Sequence, residues 1–337
     1  MTHTTDVAII GAGPVGLFAV FECGMLRLKC HVIDALDMVG GQCSALYPEK
    51  PIYDIPAHPS IQAQDLVDQL VTQAKPFEPV YHLDQRVEEI LPLDTGRFIV
   101  KTSTGTEINT GAIIIAAGVG AFGPNRPPLA GIESFEGQSV FYFVKTRESF
   151  RNKDIVIGGG GDSAVDWAIS LSEIAKSVTV VHRRPKFRAA PESLTRMEQL
   201  AAAGKINMAV PYQLAGLQGE NGKLSGVIIE DMDGHRKTID ADVLLPFYGL
   251  AMNLGPIADW GLNLERNHIL IDQSTSQTSQ KGIYAIGDIA HYPHKLKLIL
   301  TGFAEAAHAA HAARALLRPD EVVHFEYSTT KGLPTNL

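Results

Sequence analysis

The chain has 337 residues, 45% of them hydrophobic, and a formal net charge of −8 at pH 7. This length and apolar content predict two domains, each able to bury a core. The negative charge argues against a general nucleic-acid binder, and no apolar run approaches the roughly 18 residues expected of a membrane-spanning helix. We therefore expect a globular cytoplasmic enzyme with neither nucleic acid nor membrane as a partner.

A glycine-rich loop follows the first apolar run of the chain. Residues 7–10 predict a strand, the sequence GAGPVG (Gly11, Gly13, Gly16) comes next, and residues 17–28 predict a helix. This order suits a dinucleotide, because the glycines let the backbone approach a pyrophosphate and the helix N-terminus offers free amides. Asp34 ends the following predicted strand, where an acceptor for the adenosine ribose hydroxyls belongs.

The segment after this βαβ unit predicts further elements of the same domain. A Pro-rich loop covers residues 47–59, and residues 63–74 predict a helix. Strands are predicted around residues 85–92 and 97–102, and the run 112–117 predicts a buried strand that returns to the first. The sequence GVGAFGPNRPP that follows has the Gly and Pro content of a linker.

A second glycine-rich loop, GGGDSA, repeats the context of the first. It follows the predicted strand 154–157 and opens a helix predicted to end near residue 175. The position equivalent to Asp34 holds His182, and a cluster of basic residues follows it. Because guanidinium groups pair with a 2′-phosphate and an acid would repel it, this loop predicts a site for NADPH rather than NADH. The residues of this prediction are Gly159, Gly161, Ala164, His182, Arg183, Arg184, Lys186 and Arg188.

The order of these segments predicts the architecture. A single loop of this kind could serve backbone packing alone, but two in matching context, with opposite charge after them, favour two nucleotides in one protein. The chain crosses again near residues 248–253, and IGD and an Ala-rich helix over 302–317 follow. We expect two Rossmann-like three-layer α/β domains, with residues 121–247 inserted between residues 1–120 and 248–337.

Four motifs together resemble one family. GAGPVG, the returning AAG, GGGDSA with HRRPKFRA, and the late IGD are similar to the two-domain flavoprotein reductases typified by low-molecular-weight thioredoxin reductase. The resemblance covers nearly the whole chain and implies FAD in the first domain and NADPH in the inserted one. It implies that FAD is bound by Gly11, Gly13, Pro14, Gly16, Asp34, Gly41, Gln42 and Asp288. It implies that NADPH is bound by Gly159, Gly161, Asp162, Ser163, Ala164, His182, Arg183, Arg184 and Arg188.

The cysteines depart from that family. Thioredoxin reductases carry a redox CxxC before the second loop, whereas residues 141–157 contain no cysteine. Cys43 follows GGQ, as does the first cysteine of the CxxxxC disulfide reductases, but the partner position holds Pro48. We predict that Cys23, Cys30 and Cys43 are reduced thiols and that the chain has no dithiol relay.

Within this superfamily, one group matches further. GGQCSALYPEKPIYDIP, GGGDSAVDWA and the C-terminal extension resemble the ferredoxin (or flavodoxin)–NADP reductases of the thioredoxin-reductase-like type. The resemblance implies a homodimer in which Tyr47 and Tyr327 stack on opposite faces of the isoalloxazine ring. The further FAD-binding residues that it implies are Val87, Phe122, Ser328 and Thr329. Two simpler explanations stay open: Tyr47 could pack on the prolines of its own loop, and the tail after Pro319 could be disordered.

The chemistry implied by this resemblance is electron transfer. NADPH would deliver a hydride to FAD, which would pass electrons singly to ferredoxin or flavodoxin. Two alternatives stay open, namely a reductase of a disulfide or small-molecule substrate without its own CxxC, and a non-enzymatic flavoprotein that senses NADP(H). The helix predicted from Gly302 could point its N-terminus at the flavin and stabilise the anionic reduced ring.

Two smaller expectations concern charged and metal-binding groups. Ferredoxins and flavodoxins are usually acidic, so docking to a chain of charge −8 requires a local basic patch. The candidates for this patch are Lys145, Arg147, Arg151 and Lys153, or Lys295 and Lys297. His308 and His311 have a spacing that could hold a metal, but no further ligands accompany them, so we predict no metal site.

Overall fold

Within the residues that the structure describes, the chain folds into two compact units, one made of the segments up to Phe122 and from Met252 onward, the other of Gly123–Ala251. The computed structural model describes residues 2–321, and at residues 121, 122 and 250–252 it describes the backbone alone. Each unit is treated by itself below.

Helices and strands are numbered along the chain. The first segment contains β1 (Thr2–Ile10), α1 (Pro14–Met25), β2 (Cys30–Ile33), α2 (Gln42–Ala45), β3 (Pro51–Ile52), β4 (Ile61–Gln62), α3 (Ala63–Ala74), β5 (Val80–His82), β6 (Val87–Pro92), β7 (Phe98–Thr102) and β8 (Glu107–Ile115). The middle segment contains β9 (Ala121–Pro124), β10 (Asp154–Gly158), α4 (Asp162–Leu171), β11 (Ser177–Val181), α5 (Pro191–Ala202), β12 (Asn207–Ala209), β13 (Gln213–Glu220), β14 (Lys223–Glu230), β15 (Arg236–Asp240), β16 (Val243–Pro246) and β17 (Leu250–Asn253).

The last segment completes the first unit. It contains β18 (Leu264–Glu265), β19 (His268–Leu270), β20 (Ile283–Ala285), β21 (Ala290–His291) and α6 (Ile299–Leu317). Short 3-10 helices cover Lys75–Phe77, Ile132–Ser134, Arg147–Phe150, Gly255–Asp259 and Gly287–Ile289.

The first unit is built on a seven-stranded sheet. Its order is β5-β2-β1-β8-β7-β6, and β20 also pairs with β8. The central strands β2, β1 and β8 are parallel, with Ile9 opposite both Val32 and Ile114. These side chains are buried beneath residues of α1 and α6, which cover one face of the sheet. The long apolar runs of these strands are typical of a parallel sheet, which is usually covered on both faces.

Strand β1 is longer than the apolar run that predicts it. The sequence predicts a strand from Val7, whereas the strand begins at Thr2. Its polar first half pairs with β8, where Thr2 lies opposite Glu107 and Thr5 opposite Thr110. Backbone pairing with a distant segment extends the strand, and apolar content in the strand itself gives no sign of it.

The second unit repeats the strand–loop–helix order in a smaller sheet. Strands β12, β11, β10 and β16 form a parallel sheet, with Ile157 opposite Val180 and Leu245. Strands β13, β14 and β15 form a separate antiparallel sheet. Val156 and Leu244 of this parallel sheet share one apolar core with Val227 of the antiparallel sheet. Helix α4 follows β10 directly, so the second glycine loop lies at the carboxyl end of a central strand.

Candidate functional site

The turn between β1 and α1 and the first turn of α1 each contain a glycine that is packed too tightly for a side chain. Gly11 has a φ of +113°, and a Cβ atom there would lie 2.3 Å from the carbonyl oxygen of Ala116. A Cβ atom on Gly16 would lie 2.0 Å from the carbonyl oxygen of Gly11. Both distances are far inside van der Waals contact, so only glycine fits at either position. The start of α1 is thereby held close to the residue that follows β8.

Gly13 of the same turn faces open space instead. No atom lies within 4 Å of the position that its Cβ would take, and Gly13 caps α1 without a side-chain hydrogen bond. The first amides of a helix have no partner within the helix, so they are available to a ligand here. A phosphate group is the natural ligand, because the helix dipole also favours negative charge at this end.

Asp34 follows β2 and contacts the same turn. Its Oδ2 accepts a hydrogen bond from the Ala12 amide at 2.6 Å, and its Oδ1 accepts one from the Leu36 amide at 2.8 Å. Burial raises the pKa of Asp34 above its usual value, and these two amide bonds oppose the rise. A carboxylate offers about four acceptor positions, so both oxygens keep capacity for the hydroxyl groups of a ribose.

A cavity of about 550 Å³ opens beside this turn in the first unit. Its volume lies within the roughly 300–1,000 Å³ that is usual for ligand and cofactor sites. The wall includes most of the residues that the sequence predicts for FAD. Those that line it are Gly11, Gly13, Pro14, Asp34, Gly41, Gln42, Tyr47, Val87 and Asp288.

The other predicted FAD residues are not in this wall. Gly16 packs on Gly11 and does not face the cavity. The side chain of Phe122 is not described. The remaining three, Tyr327, Ser328 and Thr329, lie outside the described residues.

Sequence reasoning missed several residues of the cavity wall. Arg86, Trp260 and Lys297 line it, and they come from separate segments without a motif. Ile299 also lines it and begins α6, which starts three residues before the predicted Gly302. The N-terminus of α6 therefore lies at the cavity, where its dipole favours negative charge. No local sequence signal marks Arg86 or Trp260, because only the fold brings their segments to the cavity. The sequence does predict a role for Lys297 in docking and for the start of this helix at the flavin.

Tyr47 and Cys43 share one side of the cavity. Burial raises the pKa of the Cys43 thiol to about 11, and the neighbouring Tyr47 side chain opposes this rise. Burial also holds the pKa of Tyr47 well above its usual range. Both groups are therefore neutral at pH 7, and Cys43 has little of the thiolate character that a nucleophile needs.

The other two cysteines belong to one apolar core of the first unit. Cys23 of α1 and Cys30 of β2 interact in the apolar core under the main sheet. All three cysteines are free thiols, and both of these are buried. The Cys23 side chain and burial raise the pKa of Cys30 well above its usual value. Neither residue lines the cavity, so the described residues place no cysteine pair there.

The second glycine loop has the same backbone design. Gly159 has a φ of +147°, and a Cβ atom there would lie 2.7 Å from the carbonyl oxygen of Phe247. Gly161 caps α4, and no atom lies within 4 Å of its Cβ position. Ala164 is buried against Gly159, and Ser163 is exposed in the first turn of α4. The N-terminus of α4 is thus open to an anion in the way that the N-terminus of α1 is.

The segment after β11 folds over this loop. A Cβ atom on Gly160 would lie 2.3 Å from the His182 ring, and the Arg188 amide donates to the Gly160 carbonyl at 2.7 Å. Asp162 accepts a hydrogen bond from the Ala190 amide at 2.8 Å, so its carboxylate is engaged in holding the segment. Burial, and then the nearby arginines, lower the pKa of His182. The basic side chains of this segment are exposed, namely Arg183, Arg184, Lys186 and Arg188.

The basic groups predicted for docking differ in their availability. Lys295 is buried in contact with Glu305, so the expectation that it docks a carrier protein is wrong. Arg147 pairs with Glu173 at 2.6 Å, and Arg151 pairs with Glu148. The candidates exposed without such an acid partner in the described part of the chain are Lys145, Lys153 and Lys297.

Two further sequence expectations concern a pair of histidines and membrane-spanning helices. His308 and His311 are both exposed on α6. Within residues 2–321, no helix combines the length and the apolar character that crossing a membrane requires.

Comparison with known proteins places these features in a family. The model of the family described as pyridine nucleotide-disulphide oxidoreductase matches residues 5–313. A relative from Paramagnetospirillum magneticum, named ferredoxin–NADP reductase, is 62% identical over 332 residues, which are 98% of this chain and 98% of the relative. A relative of the same name from Rhodospirillum rubrum is 60% identical over 333 residues, 98% of this chain and 96% of the relative.

Among solved structures, the fold is similar to that of thioredoxin reductases. The Lactococcus lactis enzyme superposes with a TM-score of 0.81 at 25% sequence identity, covering 94% of this chain and 99% of that structure. The structure of T. acidophilum thioredoxin reductase gives the same TM-score at 24% identity, covering 93% of this chain and 98% of that structure. The predicted α/β class and the resemblance carried by the motifs are confirmed.

Proposed function

The chain belongs to the pyridine nucleotide-disulphide oxidoreductase family, and from this premise we propose that it is a FAD-dependent ferredoxin–NADP reductase, which transfers electrons between NADPH and ferredoxin or flavodoxin. The observation that carries the proposal is an identity of about 60% to reductases of that name along nearly the full length of both chains. The geometry of the cavity and of the two loops supports the same activity.

The residues of the first unit fit FAD. Gly13 leaves the N-terminus of α1 open for a pyrophosphate, and Asp34 offers carboxylate oxygens for the adenosine ribose. Asp288 and Tyr47 line the rest of the cavity, where the flavin part would lie. When bound, FAD would accept a hydride from NADPH and release electrons one at a time, which is the chemistry this reaction needs.

The second unit supplies the features of an NADPH site. Gly161 leaves the first amides of α4 open, and Arg183, Arg184 and Arg188 are exposed on the segment that covers the loop. Planar guanidinium groups bind phosphate by paired hydrogen bonds, so these arginines suit the 2′-phosphate that distinguishes NADPH from NADH. On this proposal, Gly123–Ala251 is the NADPH domain and the remainder is the FAD domain.

The cysteines favour a carrier protein over a disulfide substrate. Cys43 lines the cavity alone among the described cysteines, and burial raises its pKa to about 11. A dithiol relay needs two cysteines close to each other and one of them as a thiolate. The Cys23 and Cys30 pair is buried in the core instead. The electrons of a reduced flavin therefore have no thiol route among the described residues.

Three parts of the proposal concern assembly and location. On the strength of the family resemblance we expect a homodimer, and we propose separately that the protein is cytoplasmic. In the homodimer, Tyr327 would face the flavin, with Ser328 and Thr329 close to the cofactor. Sedimentation of the purified protein would measure the oligomeric state directly.

For docking of the carrier protein, Lys297 is the predicted cation that is both exposed and at the rim of the cavity.

The test follows electrons from NADPH to a named acceptor. The purified protein is incubated with NADPH and cytochrome c, with and without ferredoxin or flavodoxin, and in parallel with thioredoxin and a disulfide reporter. We expect FAD to copurify and cytochrome c reduction to depend on the carrier. Disulfide turnover without carrier-dependent reduction, or a protein that binds no FAD, would contradict the proposed function.

A further inference from the structure

Three hydrogen-bond donors converge on one buried carboxylate beside the cavity. Glu305 lies in the second turn of α6 and is 3% exposed. Its Oε2 accepts a hydrogen bond from the Gly287 amide at 2.7 Å, and its Oε1 accepts one from the Tyr292 hydroxyl at 3.0 Å. The Lys295 ammonium also donates to Oε1. Glu305 belongs to no motif and does not line the cavity itself.

The partners of Glu305 are buried as well. The side chains of Lys295 and Glu305 are 3% and 4% exposed. Burial lowers the pKa of Lys295, and the contact with Glu305 opposes this. A buried charge is tolerated only when it is paired and its other hydrogen-bonding positions are filled. The lysine, the tyrosine and the Gly287 amide together meet this requirement, and they define a single orientation of the carboxylate.

That orientation fixes the turn that carries Asp288. Gly287 has a φ of +72° and directly precedes Asp288, which lines the cavity. The first turn of α6 packs on the same place, since a Cβ atom on Gly302 would lie 3.3 Å from the Cα of Gly287 and 2.4 Å from Cγ2 of Val15 in α1. Helix α6, the Gly287–Asp288 turn and the start of α1 are therefore in mutual contact.

We propose that Glu305 is a positioning residue for FAD: its carboxylate holds the Gly287 amide so that Asp288 faces the cavity, and Lys295 is the counter-charge that this requires. The proposal rests on the proposed function, because it assumes that the cavity binds FAD. It also gives Lys295 a role inside the protein in place of the docking role predicted from the sequence.

The first test is a double-mutant cycle on FAD affinity. Apo-protein is prepared for the wild type, E305A, D288N and E305A/D288N, and the FAD dissociation constant is measured by quenching of flavin fluorescence. We expect E305A and D288N each to weaken FAD binding by about tenfold or more. We also expect the two losses to be coupled, because residues in one hydrogen-bonded network are not energetically independent. In the D288N background, E305A should cause no further loss, since Glu305 acts through Asp288. Losses that multiply would overturn the positioning role.

The second test separates the hydrogen bond from the charge. E305Q/K295M removes both charges but keeps a side-chain oxygen that can accept from the Gly287 amide. We expect its FAD affinity to lie within about twofold of the wild type, because a neutral pair can replace a buried ion pair at little cost. This variant also keeps the proposal testable if E305A fails to fold. A double variant that binds FAD as weakly as E305A would contradict the proposed bond.

A matched control removes a buried hydrogen bond from the same helix residue. Ser276 is fully buried, and its hydroxyl donates to the main-chain carbonyl of Glu305 at 3.2 Å. S276A should lower the melting temperature of the apo-protein without changing FAD affinity, because it leaves the Gly287 bond intact. An equal loss of FAD affinity in S276A and E305A would reduce Glu305 to a general structural role. A wild-type apo-protein that binds no FAD would refute the proposed function itself, so the two failures are distinct.

Discussion

The two glycine loops share one backbone design. Gly11 and Gly159 both have positive φ angles, and a Cβ atom on them would lie 2.3 and 2.7 Å from a backbone carbonyl oxygen. Gly13 and Gly161 both cap a helix, with no atom within 4 Å of their Cβ positions. In each loop, therefore, the first of these glycines serves packing, and the second leaves helix amides open to a ligand.

The loops differ in what surrounds this common backbone. At the first, Asp34 is tied by two amide hydrogen bonds and lines a cavity of about 550 Å³. At the second, His182 packs on Gly160 and exposed arginines follow it. On the proposed function, the backbone sets where a phosphate binds, and the residues after the next strand set which nucleotide is preferred.

The largest effects are expected where the design is shared. G11A and G159A each place a methyl group against a backbone carbonyl at a positive φ, and we expect each to lower the free energy of unfolding by about 3 kcal/mol. Urea unfolding followed by circular dichroism would measure this. If either variant is as stable as the wild type, the packing described for that glycine is wrong.

Replacing the arginines should separate the two loops by nucleotide. For R183A/R184A we expect the KM for NADPH to rise about 30-fold. A charge-assisted hydrogen bond contributes roughly 1.5–3 kcal/mol, and exposed groups such as these lie at the low end of that range. FAD affinity should not change. Steady-state kinetics with NADPH and NADH would check the result, and an equal rise for both nucleotides would rule out recognition of the 2′-phosphate.

The open glycines allow a milder comparison. G13A and G161A introduce a methyl group into empty space, so we expect stability to change by less than about 1 kcal/mol. Because the methyl group would stand in the way of a phosphate, G13A should weaken FAD binding by about tenfold while G161A acts on NADPH alone. Fluorescence titration of each variant with both nucleotides would measure this. A variant that weakened both nucleotides equally would contradict the assignment of one loop to each.

The smallest effect concerns pH and the first loop. His31 lies on β2, which leads to Asp34, and its Nδ1 is 2.9 Å from Nε2 of His82. Burial, and then the charges of His82 and His3, lower the pKa of His31 from 6.5 to about 4. Between these values the unfolded chain binds more protons than the folded one, so stability falls as the pH drops from 6.5 towards 4.

Replacing this histidine should flatten that dependence. H31Q removes the titrating group, so its melting temperature should fall less than that of the wild type between about pH 6.5 and 4. H308Q, at an exposed position on α6, is the matched control for a histidine-to-glutamine change. Identical curves for H31Q and the wild type would show that His31 does not contribute to acid sensitivity.

The sequence by itself determined the parts of this protein that depend on local chemistry. The two glycine loops, Asp34 and the helix Ala63–Ala74 could be predicted because strand, turn and helix signals stand side by side in the chain. The α/β class followed from the order of these signals. The lack of a CxxC motif was equally readable, because it is a property of spacing alone.

The tertiary structure alone decided the features that join distant segments. It extended β1 to Thr2 through pairing with β8, and it brought Arg86 and Lys297 to the cavity wall. It buried Lys295 against Glu305, although a lysine in an exposed-looking loop predicts a surface charge. Burial and counter-charges come from residues far apart in sequence, and the free energy of a buried polar group depends on all of them together. No local pattern carries that information, so the support behind Asp288 became visible only in the fold.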